Sequence, residues 1–149
     1  MTFRKTLGLL AAMLPALSQA ELADNGLLTV TSRYDAPETV QRIEQAVTDK
    51  GMTVFGIIDH QKAAQENELT MPAATVILFG NPKAGTPIML ASPTMALDLP
   101  LKALIWEDQQ GTVFVSLNKA AFLGQRHGVA QDIVRKLAGA ETLIPNAVK

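Results

Sequence analysis

The chain has 149 residues, with 14 acidic against 13 basic side chains and no cysteine. That length predicts one domain, and the missing thiols exclude disulfides, thiol catalysis and cysteine-ligated metal. The charges are scattered rather than gathered into a basic stripe, which argues against a nucleic-acid partner, because phosphate binding needs clustered cations.

The N-terminus carries Arg4 and Lys5, then an apolar run from Leu7 to Leu17, then "SQA" with small Ser18 and Ala20 at the exit. Basic start, short apolar core and small-residue exit are the pattern of a secretory signal peptide. As a helix that apolar run rises about 16 Å, roughly half the hydrocarbon thickness of a bilayer. The expectation is a signal peptide over 1–20 and a single domain over 21–149, periplasmic or secreted. Without Arg4 and Lys5, 11 basic residues face 14 acidic ones, a net charge of −3. No later run approaches the roughly 18 apolar residues of a spanning helix, so no stable membrane anchor is expected after cleavage.

The first predicted element is a strand, "LLTVTSR" at 27–33, with Leu28 and Val30 sharing a face. The next stretch, "DAPETVQRIEQAVTDKG", predicts a helix. Asp35 is placed to cap it, Pro37 suits its first turn, and Glu38 completes a capping-box spacing. Val40, Ile43 and Val47 recur on one face, and Gly51 can close the helix in a left-handed turn.

"MTVFGIIDH" (52–60) is rich in β-branched and aromatic residues and predicts a second strand. "QKAAQENE" then predicts a helical turn or two. "ATVILFG" (74–80) has almost no polar interruption, as a central strand would. "LKALIWE" (101–107) and "TVFVSLN" (112–118) flank the short "DQQG", which predicts a hairpin.

Between Gly80 and Leu101 the chain holds four prolines (82, 87, 93 and 100) among Met89, Leu90, Met95, Leu97 and Leu99. Such apolar sequence should pack against something rather than stay disordered. Thr86 and Pro87 suggest a cap and first residue of a short helix, and Ser92-Pro93 a second turn. Beyond Asn118, taken as a cap, a helix is expected that breaks near Gly128; the terminal "AETLIPNAVK" has no firm assignment. The order of elements predicts an α+β domain with a mostly antiparallel sheet.

The chemistry is sparse. "ILFGNPKAGTP" (77–87) looks like a phosphate loop, but Thr86 follows Gly85 where a nucleotide-binding loop needs Lys, and Lys83 lies inside. Turn chemistry is the better reading, although free N–H groups at a helix start near Thr86 could hold a small anion. Two histidines, His60 and His127, with Asp59, Glu107 and Asp108 as oxygen donors, show no ligand spacing on a helix. Asp59 and His60, adjacent on a strand, would point to opposite faces. No G-x-S-x-G elbow occurs. Glu107 and Asp108 at the hairpin mouth suit a solvated turn, and the single Trp106 suits a packed strand position.

Four segments, "GMTVFGIIDHQKAA", "TVILFGNPKAGTPIML", "ALDLPLKALIWED" and "VSLNKAAFLGQRHG", resemble in order the domain-of-unknown-function family numbered 302. The likeness runs from about Gly26 to Gly128, without departure inside those segments. It implies a TATA-binding-protein-like β-α-β(4)-α arrangement with helices on one face of the sheet, and a homodimer. It implies no catalytic residue, and the cofactor is unknown. Fold likeness to a DNA-binding protein is no warrant for DNA binding.

The expectation is therefore a non-enzymatic module binding a small ligand or a protein partner. His60, Asn81, Lys83, Thr86, Trp106 and His127 are expected to border a pocket beside the 81–100 segment. The alternative is an enzyme using His60 or His127 as base or metal ligand, helped by Asp59 or Glu107.

Overall fold

The computed structural model describes residues 24–149; the expected signal peptide over 1–20 lies outside them. The chain folds as α+β around one five-stranded, wholly antiparallel sheet in the order β1-β5-β4-β3-β2. The strands are β1 (Leu27–Thr31), β2 (Thr53–Asp59), β3 (Ala74–Gly80), β4 (Leu101–Glu107) and β5 (Val113–Asn118). The first strand reaches its place beside β5 through Thr29↔Ser116 and its neighbours, and the hairpin β4–β5 is in register from Ala103↔Leu117 to Glu107↔Val113.

Period-two alternation sorts the side chains of the sheet onto two faces. Leu28, Val30, Val54, Ile77, Phe79, Ala103, Ile105, Val115 and Leu117 form the main core with α1 (Ala36–Asp49) and α6 (Ala140–Ala147). In α1 the carboxylate of Asp35 accepts the Glu38 N–H at 2.9 Å, and Ile43 and Val47 are fully buried. Gly51 follows the helix at φ 74°, the left-handed conformation a glycine adopts freely.

The terminal stretch left unassigned from sequence is α6. Its Ala140, Ile144 and Val148, spaced by four, are buried in the core despite Pro145 within the helix. The signal is present as i, i+4, i+8 apolar spacing, although a proline inside a helix works against it.

A second, smaller core gathers Ile88, Met95, Ala120, Leu123, Val129, Val134 and Leu137. It is built by α3 (Pro82–Ala91), a 3₁₀ turn (Pro93–Leu97), α4 (Ala120–His127), α5 (Gln131–Val134) and a 3₁₀ turn (Arg135–Leu137). The proline-broken stretch is thus largely helical, with Ile88 and Met95 fully buried. The expected helix start at Thr86 is corrected by the structure. Asn81 caps α3, its side chain accepting the Lys83 N–H at 2.9 Å, and Pro82 occupies the first turn. Thr86 then lies mid-helix, so the anion site expected at a helix start there has no free turn to form on.

Two further boundaries shift. His60 is not on a strand but opens α2 (His60–Gln65), with Asp59 as cap accepting the Lys62 N–H at 2.9 Å. The cap of α4 is Lys119, because Asn118 still belongs to β5. The helix ends, as the sequence implies, at Gly128 with φ 66°.

Candidate functional site

The two cores meet along a seam, and the seam is hollow. Leu101, at the start of β4, packs against both. Around it lies a cavity of about 480 Å³ lined by the end of α1 (Lys50, Met52), by Asn81 and Ala84, by Lys136 and Leu137, and by the first turns of α6. A second cavity, of about 350 Å³, adjoins it across the shared residues Asn81 and Leu137. Its walls are almost wholly apolar: Phe55, Pro82, Met89, Leu99 and Pro100, with Asn81 and Thr86 as polar contributors. Each cavity lies in the size range of small-molecule sites.

Local structure explains how four distant stretches converge. Along α3, Pro82, Gly85, Thr86 and Met89 repeat at three- and four-residue spacing, so one helical face lines the apolar cavity. Ala84 and the cap Asn81 turn toward the larger one. The 3₁₀ turn sends Met95 into the second core while Ala96 faces the cavity. Phe55 sits at an irregularity between Val54 and Gly56, where the β2–β3 register shifts, and remains half exposed at the cavity wall.

The electrostatics of the groove are one-sided. Lys50 and Lys136 both line its larger half, and no aspartate or glutamate lines either half. Neither lysine takes part in an ion pair among the described residues. Gly139 and Ala140, at the start of α6, form part of the same wall, and that helix has no side-chain cap. Its first turn runs on from the preceding 3₁₀ turn, the Glu141 N–H donating to the Ala138 carbonyl at 3.0 Å and the Thr142 N–H to the Gly139 carbonyl at 3.3 Å.

Of the residues expected at a pocket, Asn81 and Thr86 line this groove and the other four do not. Lys83 is exposed and falls outside the arc of α3 occupied by its lining residues. His60 is exposed at the start of α2. Trp106 is five residues from Leu101 on the same strand, hence at its far end and on the opposite face. There it stacks on Phe114 at 4.8 Å between ring centroids, and its Nε1 donates to Ser116 Oγ at 3.0 Å.

His127 belongs to a separate polar cluster. Its Nε2 lies 2.5 Å from Asp98 Oδ2 and its Nδ1 2.9 Å from Thr94 Oγ1, while its side chain is only 5% exposed. Ser92 Oγ donates to the His127 carbonyl at 2.9 Å, and Arg126 approaches Asp98 at 3.6 Å. The carboxylate beside the imidazole is therefore Asp98, not Asp59 or Glu107. Asp59 is occupied in capping α2. No member of this hydroxyl–imidazole–carboxylate line lines the groove, although Asp98 precedes the lining residue Leu99, and the line ties the 92–98 segment to the end of α4. Among the described residues no three histidine or acidic side chains gather as a metal site.

Sequence reasoning missed Lys50, Met52, Leu101, Lys136, Leu137, Thr142 and Asn146, all of which line the larger half. They lie in four stretches with no shared motif, and only the tertiary fold brings them together.

Comparison with known proteins adds the following. The profile of a family described as a domain of unknown function, DUF302, matches residues 28–144, extending past Gly128, where the four resembling segments end. A "Fluoride-specific ion channel FluC 1" of Brucella suis biovar 1 (strain 1330) is 42% identical over 119 residues, 78% of this chain and 47% of that protein. A "Fluoride-specific ion channel FluC 2" of Brucella melitensis biotype 1 shows the same identity over 44% of its length. The chain thus spans less than half the length of these relatives. The crystal structure of an uncharacterized conserved DUF302 protein from Bacillus stearothermophilus is similar with a TM-score of 0.70. It shares 18% identity, and the match covers 83% of this chain and 96% of that one. At that identity the likeness is one of fold.

Proposed function

The chain belongs to the DUF302 family, and on that premise we propose that it is a non-enzymatic module whose work is to hold a small ligand in the groove between its two cores. The observation that carries this reading is the pair of cavities that share Asn81 and Leu137 in their linings, one apolar and one bearing two uncommitted lysines. Apolar lining with a few convergent polar groups is what small-ligand sites share. Fluoride transport, the activity named for the longer relatives, is not part of the proposal. Among the described residues no helix is long and apolar enough to cross a membrane, and a groove of about 480 Å³ with an apolar floor is far larger than a bare halide requires.

The setting proposed for this module is outside the cytoplasm, on the strength of the pattern in residues 1–20. A homodimer is proposed through the sheet face opposite the main core, where Ile58, Val76, Leu78, Leu104, Trp106 and Phe114 lie side by side by register. Ile58 is 46% exposed there, and an apolar sheet face of this kind is commonly covered by a partner.

Native mass spectrometry of protein purified from its own compartment tests the ligand reading. A bound small molecule is expected in the wild type, and its loss is expected in Ala96→Trp and Thr142→Trp, which fill the two halves from exposed positions. A molecule retained equally by both variants would place binding elsewhere and end this reading. The same spectra weigh the dimer: a strict monomer at micromolar concentration contradicts it.

A further inference from the structure

We infer that the ligand class is a single-chain amphiphile with an anionic head, taken up as one molecule from water. The inference rests on the groove reading above and deepens it. The two halves of the groove differ in kind. The smaller offers Phe55, Pro82, Met89, Leu99 and Pro100, a surface for a hydrocarbon chain with no charged side chain on it. The larger offers Lys50 and Lys136, the amides of Asn81 and Asn146, and the Thr142 hydroxyl.

Charge complementarity fixes the sign of the head. Two ammonium groups line one compartment, neither is neutralised within the described residues, and no carboxylate lines either half. A cationic head would meet like charge without relief. A neutral head would forgo both ion pairs; Lys50 and Lys136 are exposed, so an anion gains what surface pairs contribute, above a floor of Met52, Leu101, Leu137 and Leu143. An anion with two or more acceptor oxygens, such as a carboxylate or a phosphate monoester, can engage both lysines and the amides together.

Shape fixes the tail. The two linings share only Asn81 and Leu137, so a ligand occupying both halves must be elongated where it passes those residues. A concave site of this size favours one extended chain over a flat lipid surface, which would leave the groove floor untouched. Chain length then sets affinity, because each methylene moved from water into an apolar wall strengthens binding up to about fourfold.

The test uses isothermal titration of the intact chain with octanoate and decanoate below their micellar concentrations, with decyl glucoside and decyltrimethylammonium at matched concentration. Decanoate is expected to bind one to one, more tightly than octanoate by up to about fourfold per methylene. The glucoside and the ammonium compound are expected to bind about two- to thirtyfold more weakly, as is decanoate to Lys50→Gln/Lys136→Gln, given two ion pairs of ordinary exposed strength. Ala96→Trp is expected to abolish the dependence on chain length.

Equal binding of all three ten-carbon heads, or no change in the lysine variant, overturns the anionic assignment and leaves the groove reading standing. Binding insensitive to chain length overturns the tail assignment. Lysine-dependent binding to anionic vesicles without uptake of free decanoate overturns the single-molecule inference. If neither decanoate nor its analogues bind, the amphiphile is excluded, while the co-purified ligand still decides whether the groove is a site.

Discussion

The two cores of this molecule are made differently. The main one is a registered sheet clamped by α1 and α6, with Ile43, Val47, Ile77, Phe79, Ile105, Val115, Ile144 and Val148 all fully buried. The second is assembled from short helices and 3₁₀ turns rich in proline, and it leaves Leu90 80% and Leu97 75% exposed. Backbone pairing holds the first in place, whereas the second depends on a few inserted side chains and a polar tie at its rim. The groove lies where these regions meet, and the contrast predicts that the wall built from short helices opens at lower cost than the sheet wall.

The largest expected effect breaks the first region. Phe79→Ala removes a fully buried ring near the end of β3 and should cost about 4 kcal/mol in urea unfolding, with every probe of structure lost together. Met95→Ala should cost about 3 kcal/mol but act locally. Amide exchange should rise first in α3 and α4 while β3, β4 and β5 stay protected. Uniform loss of protection would show that the two cores unfold as one unit and erase the distinction.

A smaller effect sharpens it. His127→Ala leaves Asp98 and Thr94 without their ring partner and should cost about 2 kcal/mol. The loosening should appear as faster exchange over residues 92–98, with ligand affinity changed less than by Ala96→Trp. An unchanged exchange profile would mean that the cluster is not what holds this segment.

The smallest effect is at the rim of the other region. Asp24 bonds Lys119 at 2.9 Å, and its carboxyl is held below its ordinary value chiefly by that bond, then by the Gly26 N–H. A depressed carboxyl stabilises the fold above its unfolded value and loses that contribution as pH falls through the lower folded value. Asp24→Asn should therefore flatten the decline of melting temperature below about pH 4. At neutral pH a bond this exposed matters little.

The same contrast explains what the sequence revealed. Strands β3, β4 and β5 and helix α1 were legible because their signals are local: β-branched runs, the short hairpin connection, and Asp35, Pro37 and Glu38 at a helix start. The second core was legible only as a need for shelter. Its helix starts earlier than Thr86-Pro87 suggests because Asn81-Pro82 supplies the cap, and Pro87 sits inside it. Asn81 and Thr86 were foreseen at the site because they lie within the unusual segment itself. Lys50, Lys136 and Asn146 were not, since they enter from the ends of elements far along the chain. Trp106 and His127 drew notice as rare residue types, yet one packs on Phe114 on the opposite sheet face and the other ties two turns together.

The most direct test of the account is a backbone amide shift map of the intact chain titrated with decanoate. The account predicts that perturbed amides cluster at Asn81, Ala84, Leu101, Leu137 and Ala140, on both walls of the seam. Shifts confined to Val76, Leu104, Trp106 and Phe114 on the opposite sheet face, with the seam silent, would contradict it.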